Sequence, residues 1–219
     1  MISKAIILSL KIASISTVIT LIIGVFLGRV LTRYDFKGKG VLEVLLVLPM
    51  VLPPSVTGYG LLILLGRNGI VGRFFYDYFG ISFLFDWKSA ILAATIVSLP
   101  LMFQSCKTAF LSVNPVLENA ARTLGANERD VFWKVAFPIA WPSIISGIVL
   151  SFSRAIGEFG ATLMVAGNIP GKTQTIPIAI YFASDAGDYA TANTLVLIVV
   201  SFSFCVIYGL NHFMKKREF

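Results

Sequence analysis

Residues 112–142 read "SVNPVLENAARTLGANERDVFWKVAFPIAWP", and the local signals in this stretch specify two short helices joined by a tight turn. Asn114 is suited to cap a helix whose first residue is Pro115, because the missing proline N–H is one that a first helical turn leaves unpaired anyway. Gly125 stands where a left-handed C-terminal cap is wanted. Asn127 then caps a second helix, with Asp130 three residues on giving a weaker capping box, and Pro138 is expected to stop it. On the first helix Val116, Ala120, Ala121 and Leu124 fall at helical spacing, while Glu118 and Arg122 form an i,i+4 pair on the flank. A face of small residues admits the close approach of another surface. A helix that reads DNA needs side chains for base edges and phosphates, and this one offers alanines, so the hairpin 114–138 reads as a docking element for a protein partner.

The surroundings of the hairpin decide the class. Of the 219 residues, 57% are apolar and only 13% charged, with a mean hydropathy of +0.85. A water-soluble domain cannot cover itself with so little polarity, so the chain is expected to be an integral membrane protein. Five stretches reach the roughly 20 apolar residues a spanning helix needs: roughly 11–32, 41–66, 88–110, 139–166 and 193–213. The first is too long for a signal peptide and lacks a clear small-residue cleavage site, so it is expected to be retained. Cys106 and Cys205 lie in apolar runs with no metal-site spacing and read as small core hydrophobes. His212, the single histidine, sits beside a basic tail as an interfacial residue and leaves little scope for histidine chemistry.

The formal charge of +7 does not point to nucleic acid, because the lysines and arginines collect in the loops between apolar runs rather than on one face. Arg33, Lys37 and Lys39 follow span one; Lys107, Arg122, Arg129 and Lys134 fall between spans three and four; Lys215, Lys216 and Arg217 close the chain. With five spans these share one side, which the positive-inside rule makes the cytoplasm, leaving the N-terminus outside and the loops at roughly 67–87 and 167–192 facing outward. Span two contains "LPMVLPPSVTGYG", whose Pro49, Pro53 and Pro54 demand a kink or break. In lipid such a break persists only against protein or a water-filled cavity, so span two is expected to line the interior, the alternative being a kink that merely helps the helices pack. Span four carries Arg154 and Glu158 one turn apart. A lone charge at the bilayer centre costs roughly 2.5–3.5 kcal/mol, so the two are expected to pair and to face the bundle.

Against this background the hairpin resembles the EAA loop of ABC-importer permeases, in which Glu-Ala-Ala is followed at fixed spacing by Gly and then by Ile-x-Leu-Pro. Here the pattern reads Asn119-Ala120-Ala121, Gly125, then Val135-Ala136-Phe137-Pro138, with Asn119 in place of the usual Glu. Glu118, one position earlier, is then expected to supply the charged contact. The similarity to molybdate and sulfate/thiosulfate permeases extends over essentially the whole chain, and "GEFGATLMVAGNIPGKTQTIPIAIY", 157–181, agrees with the molybdate branch.

The resemblance implies an all-α, polytopic transmembrane bundle of the type I ABC-importer permease (MetI-like) class, forming a single domain over 1–219. It further implies a plasma-membrane permease that moves molybdate by alternating access as two copies of itself. Two ATPase subunits, which bind the ATP and Mg, would dock on Glu118, Asn119, Ala120, Ala121, Arg122, Gly125 and Pro138. An extracytoplasmic molybdate-binding protein would deliver the anion, and no cofactor, catalytic residue or nucleic acid is expected on this chain. Tungstate and sulfate are close in shape and charge and stand as alternative cargoes.

A tetrahedral oxyanion in transit is best held by neutral donors, for which Ser55, Thr57, Thr95, Ser98, Ser151 and Ser153 are candidates, with Arg154 adding positive potential and Glu158 its pairing partner. A gradient-driven secondary transporter would require an inverted repeat or a chain of intramembrane titratable groups, and a membrane enzyme a catalytic set. Neither pattern is present beyond Glu158. Finally, "AGNIPGKTQT", 166–175, imitates a nucleotide-binding loop. Three residues rather than four separate Gly167 from Gly171-Lys172, and Pro170 removes a donor from the cradle. The stretch reads instead as an outer turn, with Asn168, Lys172 and Thr173 expected to face the binding protein.

Overall fold

Long apolar runs can satisfy their backbone groups in lipid only by forming helices, and the computed structural model, which describes residues 2–215, is helical along nearly all of them. Among the described residues four helices are long and apolar enough to cross a membrane: Ile2–Arg33, Trp87–Leu111, Glu128–Ile156 and Tyr189–Gly209. We label the elements α1 (Ile2–Arg33), α2 (Lys39–Val51), α3 (Pro54–Leu65), α4 (Ile70–Phe79), α5 (Trp87–Leu111), α6 (Pro115–Thr123), α7 (Glu128–Asp130), α8 (Phe137–Ile156), α9 (Gly160–Ala166), α10 (Ile176–Asp185) and α11 (Tyr189–Lys215). Lys216 and Arg217 of the basic tail, and the side chains of His212 and Lys215, fall outside what is described.

The candidate for the expected fifth crossing is a bent pair of helices. Helices α2 and α3, the latter continuing into α4, are bent by 116° at Leu52–Pro53, where two consecutive prolines deny the backbone its donors. The pair still connects the two ends of the bundle. Glu43 of α2 pairs at 2.8 Å with Lys107 near the end of α5, whereas Leu61 and Leu65 of α3 pack with Phe83 and Leu84, just before α5 begins. Contrary to expectation, α2 buries none of its residues within the chain, so its apolar faces lie on the surface of this protomer.

Helix α5 is the axis of the fold, and α1 and α8 pack along it through small residues. A Cβ at Gly24 would fall 2.6 Å from Met102 Cγ, and one at Gly28 would fall 2.9 Å from Cys106 Cβ and 3.1 Å from the α5 backbone. Gly147 of α8 meets Ser105 in the same way, at 2.6 Å. Lipid tails are as apolar as leucine, so helix association depends on such close approach and on interhelical hydrogen bonds. Ser16 donates to the Ile91 carbonyl at 3.1 Å, and the hydroxyls of Thr20 and Ser151 lie 3.1 Å apart. Gly28→Ile is therefore expected to lower the thermal midpoint of the purified protein by roughly 4–8 °C. Gly60→Ile, at a position with nothing within 4 Å, is the control expected to leave it unchanged.

Three expectations need correction. Helix α1 starts at Ile2, nine residues before the expected boundary. At about 1.5 Å per residue it is about 48 Å long against about 30 Å of hydrocarbon, more than one perpendicular crossing needs, and its first turns pack Ala5 against Ile176, Ala179 and Leu195. The segment taken as a loop at roughly 167–192 contains α10, a ten-residue apolar helix too short to span. Its Pro177 stands in the first turn, where proline costs nothing. Cys106 is buried as expected, but Cys205 is exposed on α11.

Candidate functional site

Two regions carry the chemistry: the hairpin at one end of the bundle and a pair of helix breaks at mid-depth.

The hairpin is capped at every point its sequence signals. Asn114 Oδ1 accepts from Val116 N at 2.9 Å, and Asn127 Oδ1 accepts from Asp130 N at 2.9 Å. Gly125 adopts φ 88°. Its N–H donates to the Arg122 carbonyl at 2.9 Å while the Ala126 N–H donates to that of Ala121 at 3.0 Å, the two bonds of a Schellman motif. Pro138, however, does not stop the second helix. Residues Val131–Ala136 widen into a π-helical stretch, which takes the Lys134 carbonyl away from the proline ring and absorbs the missing donor. From Glu128 to Ile156 the hairpin's second arm and span four are one 29-residue helix.

The exposed face of α6 presents Val116 (67% exposed), Leu117, Ala120 and Leu124 (88%). Asn119 is also exposed, with its Oδ1 accepting from Arg122 Nη1 at 2.7 Å, and Ala121 is partly covered. Glu118 does the opposite of what was expected, being only 6% exposed and turned into the chain. Arg29 of α1 donates to both its oxygens, at 2.8 and 3.2 Å, Arg33 Nη1 lies at 3.3 Å and Arg122 Nη2 at 3.0 Å. Glu128 completes the cluster, 2.7 Å from Arg122 Nε and 3.2 Å from Arg33 Nη2. Burial pushes the Glu118 carboxyl up, but the Arg29 and Arg122 guanidiniums outweigh it and hold the group below its ordinary value of 4.5. A lowered carboxylate stabilises the fold above its unfolded value. The contribution of Glu118 is therefore complete at neutral pH and is lost only as pH falls from about 4.5 through the folded value. From sequence, Arg33 counts among the loop charges that follow span one and Arg29 has no assigned role. Their i,i+4 spacing at the end of α1 was the available signal, but nothing local pairs it with residues 85 and more positions away.

At mid-depth, spans two and four break side by side. Span four is not one helix to residue 166: α8 ends at Ile156 and α9 restarts at Gly160. The restarted halves pack on each other, since a Cβ at Gly160 would meet Pro54 at 3.0 Å and one at Gly58 would fall 2.7 Å from the Ala161 Cα. Arg154 and Glu158 lie at this level, paired at 2.8 Å, and the second carboxylate oxygen of Glu158 accepts from Ala161 N at 2.8 Å, capping α9. Beside the pair is a cavity of about 180 Å³ lined by Pro49, Met50, Leu52, Pro54, Val97, Leu101 and Arg154. Val97 and Leu101 mark the middle of α5, so a cationic group faces a small cavity about halfway along the bundle.

The hydroxyl candidates divide. Ser98 and Ser151 are fully buried and spend their hydroxyls on packing: Ser98 donates to the Ala94 carbonyl at 2.6 Å, and Ser151 reaches the Ser98 carbonyl at 3.3 Å as well as Thr20. Neither lies on an open face. Ser55 is exposed and Ser153 partly buried. Thr57 in the first turn of α3 and Thr95 on α5 have buried hydroxyl oxygens without a hydrogen-bond partner among the described residues. At the far end, Asn168 holds Gln174 Nε2 at 2.9 Å and Lys172 is exposed. Thr173, expected to face outward, is fully buried and closes the turn instead, accepting from Ile169 N at 3.0 Å and donating to the Gly167 carbonyl at 3.3 Å. Gly167 and Gly171 have φ 68° and 77°, which makes the stretch a glycine-hinged turn rather than a phosphate cradle.

A crossing bundle with a capped, protruding hairpin at one end and paired helix breaks inside it is the architecture of a transporter's membrane subunit. The chain belongs to the family described as "Binding-protein-dependent transport system inner membrane component", whose pattern matches residues 20–216. It is 48% identical over 178 residues to the "Molybdenum transport system permease protein ModB" of Escherichia coli (strain K12), covering 81% of this chain and 78% of the relative. It is 40% identical over 203 residues to the "Putative molybdenum transport system permease protein YvgM" of Bacillus subtilis (strain 168), covering 93% and 89%. In fold it is similar to a chain of the inward-facing MetNI methionine ABC transporter, with a TM-score of 0.75 at 17% identity over 98% of this chain and 95% of that one. It is also similar in fold to a chain of a bacterial alginate ABC transporter in complex with a pentasaccharide-bound periplasmic protein, with a TM-score of 0.70 at 19% identity over 97% and 78%.

Proposed function

We propose that this chain is the permease subunit of a molybdate importer of the type I ABC class. Two copies enclose the pathway, two separate ATPase subunits carrying ATP and Mg dock on the two hairpins, and an extracytoplasmic binding protein delivers the anion. The N-terminus and the turn bearing Asn168 and Lys172 lie outside, and the hairpin lies in the cytoplasm. The observation that carries the reading is the hairpin itself: a capped helix with an apolar exposed face, joined by the Gly125 turn to a second arm that is one helix with α8 as far as the break at Ile156, is a lever able to deliver a push from a soluble partner to the bundle. Molybdate as cargo rests on what the relatives are named for. Proteoliposomes containing this chain, its ATPase and its binding protein are expected to accumulate labelled molybdate only with ATP inside. Accumulation without the ATPase would overturn the arrangement, and displacement of molybdate by equimolar sulfate would overturn the cargo.

Within this reading the anion passes the breaks, where Arg154 supplies positive potential and the unpaired hydroxyls of Thr57 and Thr95 supply neutral donors. A buried hydroxyl without a partner destabilises a fold, by about 1–3 kcal/mol on the mutational scale. Thr95→Val is therefore expected to hold or raise the thermal midpoint while lowering import about fivefold, and unchanged import would remove Thr95 from the pathway.

A further inference from the structure

Glu118 does not point at the face on which a partner would dock, and its surroundings assign it another task. We propose that Glu118, Arg29 and Arg33 are positioning residues that fasten the hairpin to α1, so that hairpin and α1 move as one rigid body when the ATPase closes. The inference rests on the docking of an ATPase proposed above.

Chain connectivity ties α6 to α5 through residues 112–114 and to α8 through the continuous second arm. Nothing in the connectivity ties it to α1, and the ion cluster does so across 85–95 positions of sequence. Arg29 grips Glu118 with two parallel bonds, the geometry that fixes direction as well as distance. The guanidinium is itself held over the rings of Phe110 and Phe132, at 5.7 and 6.0 Å. Arg33 binds Glu118 of the first arm and Glu128 of the second at once, so both arms are secured to the last turn of α1. The side chains of Glu118 and Arg29 are 8% and 17% exposed, and a pair so withdrawn from water is neither weakened by salt as a surface pair is nor cheaply separated. The consequence is a second output for the lever. Force on Val116 and Leu124 reaches α8 through the Gly125 turn and the second arm, which is one helix with α8, and reaches α1 through the cluster. Through Gly24, Gly28 and Thr20, α1 then bears on α5 and Ser151.

The test replaces the ionic clamp by a covalent one. In a parent carrying Cys106→Ala and Cys205→Ala, reconstituted with ATPase and binding protein, Arg33→Cys with Glu128→Cys is expected to import molybdate at about a fifth of the parent rate. Bridging the two thiols with a short bis-thiosulfonate should restore import to within twofold of the parent, and reductant should reverse the gain. Import by the unbridged variant equal to the parent's, or a bridge that blocks import or fails to restore it, would overturn the inference. In parallel, Glu118→Gln is expected to lower import about tenfold while capture of the ATPase subunit stays within twofold of wild type. Loss of capture would place Glu118 in the docking contact and refute the positioning role. Absence of ATP-driven import by the parent itself is a failure of the transport reading, and the parent alone reports it.

Discussion

Gly125→Val is expected to lower capture of the proposed ATPase subunit and molybdate import together, by more than tenfold each. The residue at 125 must hold φ 88°, a left-handed conformation that costs an ordinary L-residue about 1–2 kcal/mol and a β-branched one more. The alternative to paying that cost is to lose the Schellman motif, releasing the carbonyls of Ala121 and Arg122 and the angle between the two arms. The space around Gly125 is open, with nothing within 4 Å of a built Cβ, so the effect is conformational rather than steric. Gly125→Asn, which tolerates the left-handed region, should consequently retain most of both activities. Equal losses in Asn and Val variants would mean that the backbone angle is not what matters, and intact capture by the Val variant would separate the hairpin's shape from docking.

Arg154→Gln is expected to give the second large effect, on stability and on import by different routes. Glu158 is nearly fully buried, and among the described residues Arg154 is the cation paired with its carboxylate. Removing one member of a buried pair while leaving the other costs about 3–5 kcal/mol, whereas removing both is often nearly neutral. Arg154→Gln is therefore expected to lower the thermal midpoint by roughly 10 °C, and the double variant Arg154→Gln, Glu158→Gln to recover most of it, since the Gln carbonyl still accepts from Ala161 N. Import separates the roles. If Arg154 supplies potential to the anion at the break, the stable double variant still imports below a tenth of the wild-type rate. Import restored along with stability would leave the pair a structural one.

The parts of the molecule legible in sequence are those governed by local rules. The proline pair Pro53-Pro54 broke span two where it stood, Asn114 and Asn127 capped what they preceded, and Gly125 turned left-handed. Each of these outcomes depends on a few neighbouring residues and the backbone's own geometry. The errors came where a local rule met tertiary context. Pro138 was expected to end a helix, but a π-helical stretch one turn before it removed the clash. Glu118 was expected to face a partner, but Arg29 and Arg33 drew it inward. Thr173 looked like a surface residue and is the pin of a buried turn. Span four's division at Gly157 went unread because nothing in the apolar run showed that Glu158 would cap a restarted helix.

By itself the sequence determined that this is a membrane bundle with a capped hairpin on its cationic side, because hydropathy, charge placement and caps act over one or two helical turns. Only the tertiary structure decided which charges meet and which hydroxyls stay unpaired. Ion pairs such as Arg29–Glu118 and the close approach of Gly58 to Ala161 are set by how helices distant in sequence pack around α5, and the pattern of any single helix does not specify its neighbour.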